Sequence, residues 1–198
     1  MQMIGKKSLA SILKVMLNIV FYVSIIAEFF IIVTFTVILI AGKENIIRFL
    51  TDSGIQHLTL ESSALSITFK EGFPVNMLPG LLLTALGIVF IICLIEILIV
   101  FQLRKIFETL IGKNPFILIN AGRIRVIGGL VIAGSLIYSI FEFIIFNTMI
   151  KYFTFSGLDM NIHFSIDWKV VFLGLVFFIL AEVFRIGSEL QDEKNLTI

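Results

Sequence analysis

The chain has 198 residues, of which 59% are hydrophobic and only 15% are charged, and its net charge is +1. Its mean hydropathy is +1.09. Soluble domains carry roughly 25% charged residues, so this composition excludes an ordinary soluble domain and indicates an integral membrane protein. The single cysteine, Cys93, excludes an internal disulfide framework and a cysteine-based zinc cluster.

Four apolar segments follow one another along the chain, and each is long enough to cross a bilayer as a helix. A bilayer core needs about 20 helical residues, with a range of about 17–25. The segments show no strand-type alternation, so we predict an all-α bundle of four transmembrane helices. The first segment is far longer than the apolar region of a signal peptide, so we expect it to be retained. The four cover residues 15–41, 77–103, 124–149 and 168–184.

The 15 Lys and Arg residues are unevenly divided between the two sets of segment ends, and the richer set is expected in the cytoplasm. Both termini, the hairpin tip at 104–123 and the tail at 185–198 are then cytoplasmic. Residues 42–76 and 150–167 lie outside. The cytoplasmic set is Lys6, Lys7, Lys14, Arg104, Lys105, Lys113, Arg123, Arg125, Arg185 and Lys194, and the outer set is Lys43, Arg48, Lys70, Lys151 and Lys169.

Three outer stretches alternate between apolar and polar residues, which is typical of half-buried strands. They are "IQHLTLES" at 55–62, "ALSITFK" at 64–70 and "NIHFSID" at 161–167. We therefore predict a small extracytoplasmic antiparallel sheet of three or four strands, formed by both outer loops, that caps the helices. Residues 1–198 are expected to form a single membrane domain.

A short polar turn, "LIGKNPFILINAGRIR" at 110–125, separates the second and third segments. Gly112 suits the residue that ends a helix. Asn114 is a candidate N-cap, and Pro115 fits the first residue of the next helix. The two spans then form a helical hairpin whose tip projects into the cytoplasm. The basic residues of the tip are either positive-inside anchors or contacts for anionic lipid headgroups.

Each apolar segment contains one glutamate, and acids within a membrane are costly and often functional. Counted at about 1.5 Å per residue, Glu28 lies near mid-membrane, Glu96 in the inner half and Glu142 towards the outside. Glu182 lies near the inner surface and is expected to pair with Arg185. Because the four glutamates lie at different depths in the membrane, an ion filter is poorly supported. We expect Glu28 to face the bundle interior and bond a Ser or Thr hydroxyl, either as a structural bond or as a proton or cation site.

Neither the two histidines nor the sequence motifs of this chain indicate catalysis. His57 and His163 both fall in predicted outer strands, where they are solvated residues or weak metal or pH-sensing candidates, since two ligands do not make a metal site. The sequence contains no H-E-x-x-H, G-x-S-x-G, P-loop or dinucleotide-binding turn. We therefore expect a protein that is not an enzyme and holds no cofactor.

Two cytoplasmic stretches, "KNPFILINAGRIRVIG" and "EVFRIGSELQDEKNLTI", carry a recognisable pattern. The pattern is a Pro-Phe turn followed by Asn and a basic residue, and a terminal Phe-Arg-x-Gly segment that ends in Leu-Thr-Ile. It falls on Pro115, Phe116, Asn120, Arg123, Phe184, Arg185, Gly187, Leu190, Glu193, Leu196, Thr197 and Ile198. In these residues and in its four spans, the chain resembles the bacterial membrane protein family called domain of unknown function 2975.

The resemblance implies a protein of the bacterial inner membrane without a settled activity, and its family members are often encoded beside a small helix-turn-helix regulator of the Cro/repressor type. The acidic tail would occupy the basic face of such a regulator in competition with DNA, although a solvated helix end is the simpler interpretation. No direct binding of nucleic acid is expected. The candidate partner contacts are Asn114, Pro115, Phe116, Asn120, Arg123, Arg185, Glu189, Asp192 and Glu193.

A second class of function stays open from the sequence. A small oligomeric transporter or channel would use Glu28, Glu96 and Glu142 and would depend on the membrane interior rather than on the cytoplasmic ends. The sequence leaves the homo-oligomeric state open, and the lipid bilayer is the one partner that the composition itself requires.

Overall fold

A computed structural model describes residues 9–52, 58–61, 66–69, 78–112, 116–150 and 163–196. This part of the chain contains four long helices, and each is long and apolar enough to cross a membrane. The sequence prediction of four helical segments, as in a multi-pass membrane protein, is confirmed. The helices are α1 (Leu9–Asp52), α2 (Leu78–Ile111), α3 (Leu118–Ile150) and α4 (Trp168–Leu196), and two short strands are β1 (Leu58–Glu61) and β2 (Ser66–Phe69).

Helices α2 and α4 continue well beyond their apolar segments at the ends predicted to be cytoplasmic. The apolar segment of α2 ends near residue 103, but the helix continues to Ile111. That of α4 ends near residue 184, but the helix continues to Leu196. Both extensions are rich in charged residues at helical spacing, and such i,i+3 and i,i+4 pairs stabilise exposed helical turns.

The third helix starts later than the sequence predicts. It begins at Leu118, and Phe116 and Ile117 are not helical, so the predicted start at Pro115 is wrong. The ring of Phe116 packs against the ring of Phe184 on α4, with centroids 5.3 Å apart, and this contact favours a non-helical backbone before α3. Asn114 and Pro115 lie outside the described residues, so the proposed cap stays a prediction.

Gly112 follows the last residue of α2, as predicted. Its backbone N–H donates to the carbonyl oxygen of Glu108 at 3.2 Å, which closes the final helical turn. Glycine at this position often adopts a left-handed conformation with positive φ. Gly112 does not, because Gly42 is the one glycine with positive φ among the described residues.

Helix α1 is interrupted at Gly42, where φ is 74° and ψ is 159°. This region of backbone space is strained for any residue with a Cβ atom. The side-chain amide of Asn45 donates to the carbonyl oxygen of Ala41 at 2.9 Å and so satisfies an acceptor at the break. The interruption coincides with the end of the first apolar segment at residue 41.

The two strands pair in antiparallel fashion, with Leu58 opposite Phe69 and Glu61 opposite Ser66. Residues 163–167 form no strand, so the predicted strand at 161–167 is wrong there. Asp167 instead caps α4, since its Oδ1 accepts the backbone N–H of Lys169 at 3.0 Å and that of Val170 at 3.4 Å. Residues 161 and 162 lie outside the described part, and an extracytoplasmic cap of three or four strands stays a prediction.

The chain divides into two compact units, and a single membrane domain stays a prediction. The first unit comprises Met1–Glu28, Ile92–Ser139 and Ser165–Ile198, and the second comprises Phe29–Ile91 and Ile140–Phe164. Within the second unit, α1 and α2 line an apolar cavity of about 320 Å³, whose walls are Ile31, Ile32, Phe35, Gly87 and Phe90.

The buried core of the first unit joins α2, α3 and α4. Ile106 of α2, Ile124 and Ile127 of α3 and Ala181 of α4 form one cluster. Partly buried side chains, including Leu103, Leu110, Phe177 and Phe184, pack around it. The core therefore brings together the ends of these helices that carry the charged extensions.

Helices α3 and α4 approach closely at a pair of glycines. A Cβ atom added at Gly128 would lie 2.8 Å from the carbonyl oxygen of Gly174, and one added at Gly174 would lie 3.0 Å from that of Gly128. Helices in membranes commonly pack through small residues, because close backbone approach maximises van der Waals contact.

We expect Gly128→Ala to lower the free energy of unfolding by about 1–3 kcal/mol, because the new methyl group meets backbone that cannot move away. The neighbouring Gly129→Ala is the matched control, since nothing lies within 4 Å of a Cβ atom there. Thermal unfolding of both variants in detergent micelles measures the difference. Equal melting temperatures would contradict this packing of α3 on α4.

Candidate functional site

The side chain of Asn120 is fully buried, with 0% exposed, at the start of α3. Its Nδ2 donates to Oγ1 of Thr109 at 2.6 Å, and its Oδ1 accepts Nη1 of Arg123 at 2.9 Å. The same Nη1 of Arg123 donates to the carbonyl oxygen of Lys105 at 3.1 Å. These four residues, which we call the hairpin junction, connect α2 to α3 through a polar network inside an apolar core.

Phe116 connects this end of the hairpin to α4. Besides its contact with Phe184, its ring covers Gly187, where an added Cβ atom would lie 2.7 Å from Cδ1 of Phe116. Glycine is therefore required at 187 for the ring to occupy this position. The two stretches that carry the sequence pattern meet here, because Phe116 belongs to the first and Phe184 and Gly187 belong to the second.

A chain of ion pairs runs along the charged extension of α4. Arg185 donates to Oε1 of Glu182 from Nε at 2.9 Å and from Nη2 at 2.7 Å, and Nη1 donates to Glu189. Nη2 of Arg125 on α3 lies 3.8 Å from Oε2 of Glu182. The predicted Glu182–Arg185 pair is thus confirmed, and it is one part of a network that joins α3 to α4.

The candidate partner contacts differ in what the structure leaves accessible. Asn120 is buried and Arg123 is half-buried with its Nη1 bonded inside the hairpin junction, so a direct partner contact by Asn120 does not fit its position. Phe116 is 40% exposed beside α4. Glu189, Asp192 and Glu193, in contrast, are exposed near the end of α4.

Glu28 is buried, with 6% exposed, as predicted for a residue that faces the bundle interior. The expected hydroxyl partner is not present: no described residue bonds either carboxyl oxygen. The hydroxyl of Ser24, one turn away, donates instead to Oε1 of Glu96 on α2 at 3.3 Å.

Glu142 belongs to the second unit, where its Oε1 is buried and bonds no described residue. The outer cation Lys151 lies outside the described part. His57 lies outside it as well, and His163 is exposed and not in a strand. Within the described residues, no group of three or more His, Cys, Asp or Glu side chains is placed to hold a metal ion.

Sequence reasoning missed the pairing of Arg104 with Asn18. Nε of Arg104 donates to Oδ1 of Asn18 at 2.6 Å, which joins α1 to α2. The guanidinium carbon lies 4.2 Å from the ring centroid of Phe21 and 5.5 Å from that of Tyr22. The signal that could have found this contact is depth, because Asn18 and Arg104 both stand near the ends of their apolar segments that are predicted to be cytoplasmic.

We expect Asn120→Ala to lower the free energy of unfolding by about 1–3 kcal/mol, because it leaves Thr109 and Arg123 without their buried amide partner. Asn147→Ala is the matched control, since Asn147 lies on the same helix and is exposed, and exposed sites change stability within about 0.5 kcal/mol. Thermal unfolding in detergent micelles measures both. A loss of the same size for both variants would argue against a structural role of the hairpin junction.

Comparison with known proteins assigns the chain to a family but gives no activity. No curated protein and no solved structure matches it. The model of the family described as "Protein of unknown function (DUF2975)" matches residues 8–198. Because this match covers nearly the whole chain, and the pattern residues Phe116, Phe184 and Gly187 contact one another in the fold, the protein belongs to the DUF2975 family.

Proposed function

We propose that this protein is a non-enzymatic regulator in the bacterial inner membrane, with both termini in the cytoplasm, that binds a small helix-turn-helix transcription regulator. The observation that carries the proposal is the exposed acidic end of α4. Glu189, Asp192 and Glu193 are all exposed there, and the basic residues on either side of them along the helix are Arg185 and Lys194.

The spacing of the three acids concentrates their charge. Residues 189, 192 and 193 stand at i, i+3 and i+4, so their side chains share one face of α4. Glu189 also bonds Arg185, which partly neutralises it. The three exposed acids together give this face, which we call the acidic face, its negative potential.

A helix-turn-helix protein supports this proposal as the partner because of its charge. Its DNA-binding face is basic, since contacts to phosphates supply most of its affinity for DNA. The acidic face would attract that basic face, and the bound regulator would then be withheld from DNA. The chemistry requires complementary charge and no reaction, which agrees with the absence of enzyme motifs in the sequence.

The packing of α4 offers a route for a signal. The base of the acidic face is connected to α3 by the Arg125–Glu182–Arg185 network and to the hairpin by the contacts of Phe116 with Phe184 and Gly187. A change in how the hairpin packs on α4 would therefore move or reorient the acidic face. In this mechanism, the pattern residues position the binding surface and the exposed acids form it.

Replacing Glu189, Asp192 and Glu193 with lysine should weaken binding of a small helix-turn-helix regulator of the Cro/repressor type by at least about tenfold, because like charges then face each other. A second variant changes only Asp192 and Glu193 and leaves the Arg185–Glu189 pair intact. The control exchanges the two acids, Asp192→Glu with Glu193→Asp, and keeps the charge. Binding of the purified proteins measures the effect, and unchanged affinity of both lysine variants would refute the proposed partner surface.

A second candidate function, a small oligomeric transporter or channel, is favoured by Glu28. An isolated buried carboxylate is costly, and acids of this kind in membrane helices often mark proton or ion pathways. Glu28 has no bond from a described residue, and the Ser24 hydroxyl, one turn away on α1, donates to Glu96 of α2. The arrangement would suit transient binding of a proton or a cation.

If the second function holds, Glu28→Gln should abolish proton or cation flux through proteoliposomes, because the amide can neither carry a proton nor balance a cation. Exposed Glu44→Gln serves as the control and should retain flux. Absence of flux in the wild-type protein would eliminate this function. Under the regulator proposal, Glu28→Gln leaves binding of the helix-turn-helix partner unchanged.

A further inference from the structure

Three cations surround a single carboxylate where α1 and α2 meet. Nζ of Lys105 lies 3.3 Å from Oε2 of Glu108, and Nζ of Lys14 lies 3.8 Å from Oε1. Arg104 precedes Glu108 by one helical turn on α2. This group, which we call the cation cluster, consists of Lys14, Arg104, Lys105 and Glu108, and three positive charges against one negative charge leave it with an excess of positive charge.

Arg104 has hydrogen-bond donors in this cluster that bond no described residue. Its Nε is bonded to Asn18, and the faces of Phe21 and Tyr22 hold the guanidinium in place. No described residue accepts a hydrogen bond from its terminal nitrogens Nη1 and Nη2. A guanidinium presents these donors as a planar fork that matches the oxygens of a phosphate group. A positioned Arg with an unused fork therefore points to an anionic ligand.

The cation cluster borders an apolar surface. The rings of Phe21 and Phe101 lie 6.3 Å apart between centroids, and Nζ of Lys105 lies 5.9 Å from the centroid of Phe101. Phe101, Leu98 and Leu94 are exposed and stand at i, i−3 and i−7 on α2, so they form one stripe that leads away from the cations. The site is amphipathic, because cations meet an exposed apolar stripe at one end.

We propose that the cation cluster binds the phosphate of an anionic phospholipid whose acyl chain lies along Phe101, Leu98 and Leu94. Basic pockets between transmembrane helices are suited to acidic headgroups. Free phosphate would satisfy the cations but leave the apolar stripe uncovered. A zwitterionic lipid would bring its own cation to a site that already has excess positive charge. The proposal is independent of the regulator function, since it does not use the acidic face. Lys105 is shared with the hairpin junction, but it contributes its backbone carbonyl there and its ammonium group here.

The test uses the full chain, purified and delipidated in a neutral detergent, with its melting temperature followed as phospholipid is added to the micelles. Phosphatidylglycerol should raise the melting temperature, whereas phosphatidylcholine at the same mole fraction and inorganic phosphate should not. The variant Lys14→Gln with Arg104→Gln should need about 25-fold more phosphatidylglycerol, at about fivefold for each lost charge. The matched control, Lys43→Gln with Lys169→Gln, removes two exposed cations elsewhere and should respond as the wild type does.

Three results would overturn the proposal: an equal response to phosphatidylcholine, an equal response to inorganic phosphate, or the same phosphatidylglycerol dependence in the cluster and control variants. The bond from Arg104 to Asn18 also supports the fold, so the double variant removes a structural contact as well as charge. A single variant is therefore tested beside it. Lys14→Gln alone leaves that bond intact and should shift the dependence about fivefold. A wild-type response of Lys14→Gln would likewise overturn the site.

Discussion

The buried amide of Asn120 is the interaction on which the packing of α2 against α3 depends. Its bonds to Thr109 and Arg123, with the bond from Arg123 to the carbonyl of Lys105, hold α2 and α3 together where both leave their apolar segments. Apolar side chains alone would not align two helices in lipid, because lipid tails are as apolar as the side chains themselves. A polar network supplies direction as well as energy, and α4 then packs on the aligned hairpin through the core around Ile127 and Ala181.

Positive charges near this end are used in different ways, and the differences assign their roles. Arg123 is bonded inside the hairpin junction, whereas Arg125 and Arg185 are paired around Glu182. Lys14 and Lys105 share the carboxylate of Glu108, and with Arg104 one helical turn away the group keeps an excess of positive charge. Counting all of them as equal markers of the cytoplasmic side therefore hides one group that builds the fold, one that joins α3 to α4 and one that is suited to a lipid phosphate.

The sequence predicts the features that depend on residues close together in the chain. Its predictions fail where a tertiary contact or a helix cap decides the local structure. The four helical segments, the end of α2 at Gly112 and the Glu182–Arg185 pair follow from apolar length, glycine placement and helical spacing, and all are present. The helix start at Pro115 is wrong because packing of Phe116 on Phe184 sets the backbone before α3. The strand at 163–167 is wrong because Asp167 caps α4 in that position. The first prediction used capping propensity and the second used the alternation of apolar and polar residues, and neither rule takes account of the contact or cap that is formed.

The sequence by itself determines that the chain forms four long apolar helices with charged extensions, because length and hydropathy act residue by residue. It cannot determine which faces of those helices meet. The helices are apolar around most of their circumference, so no stripe marks the packed side. Only the tertiary structure decides that Gly128 approaches Gly174, that Asn18 bonds Arg104 and that Asn120 is buried. It also decides that Glu28 is enclosed without a bond from a described residue. Each depends on side chains far apart in the chain, whose meeting is set by the packing of whole helices.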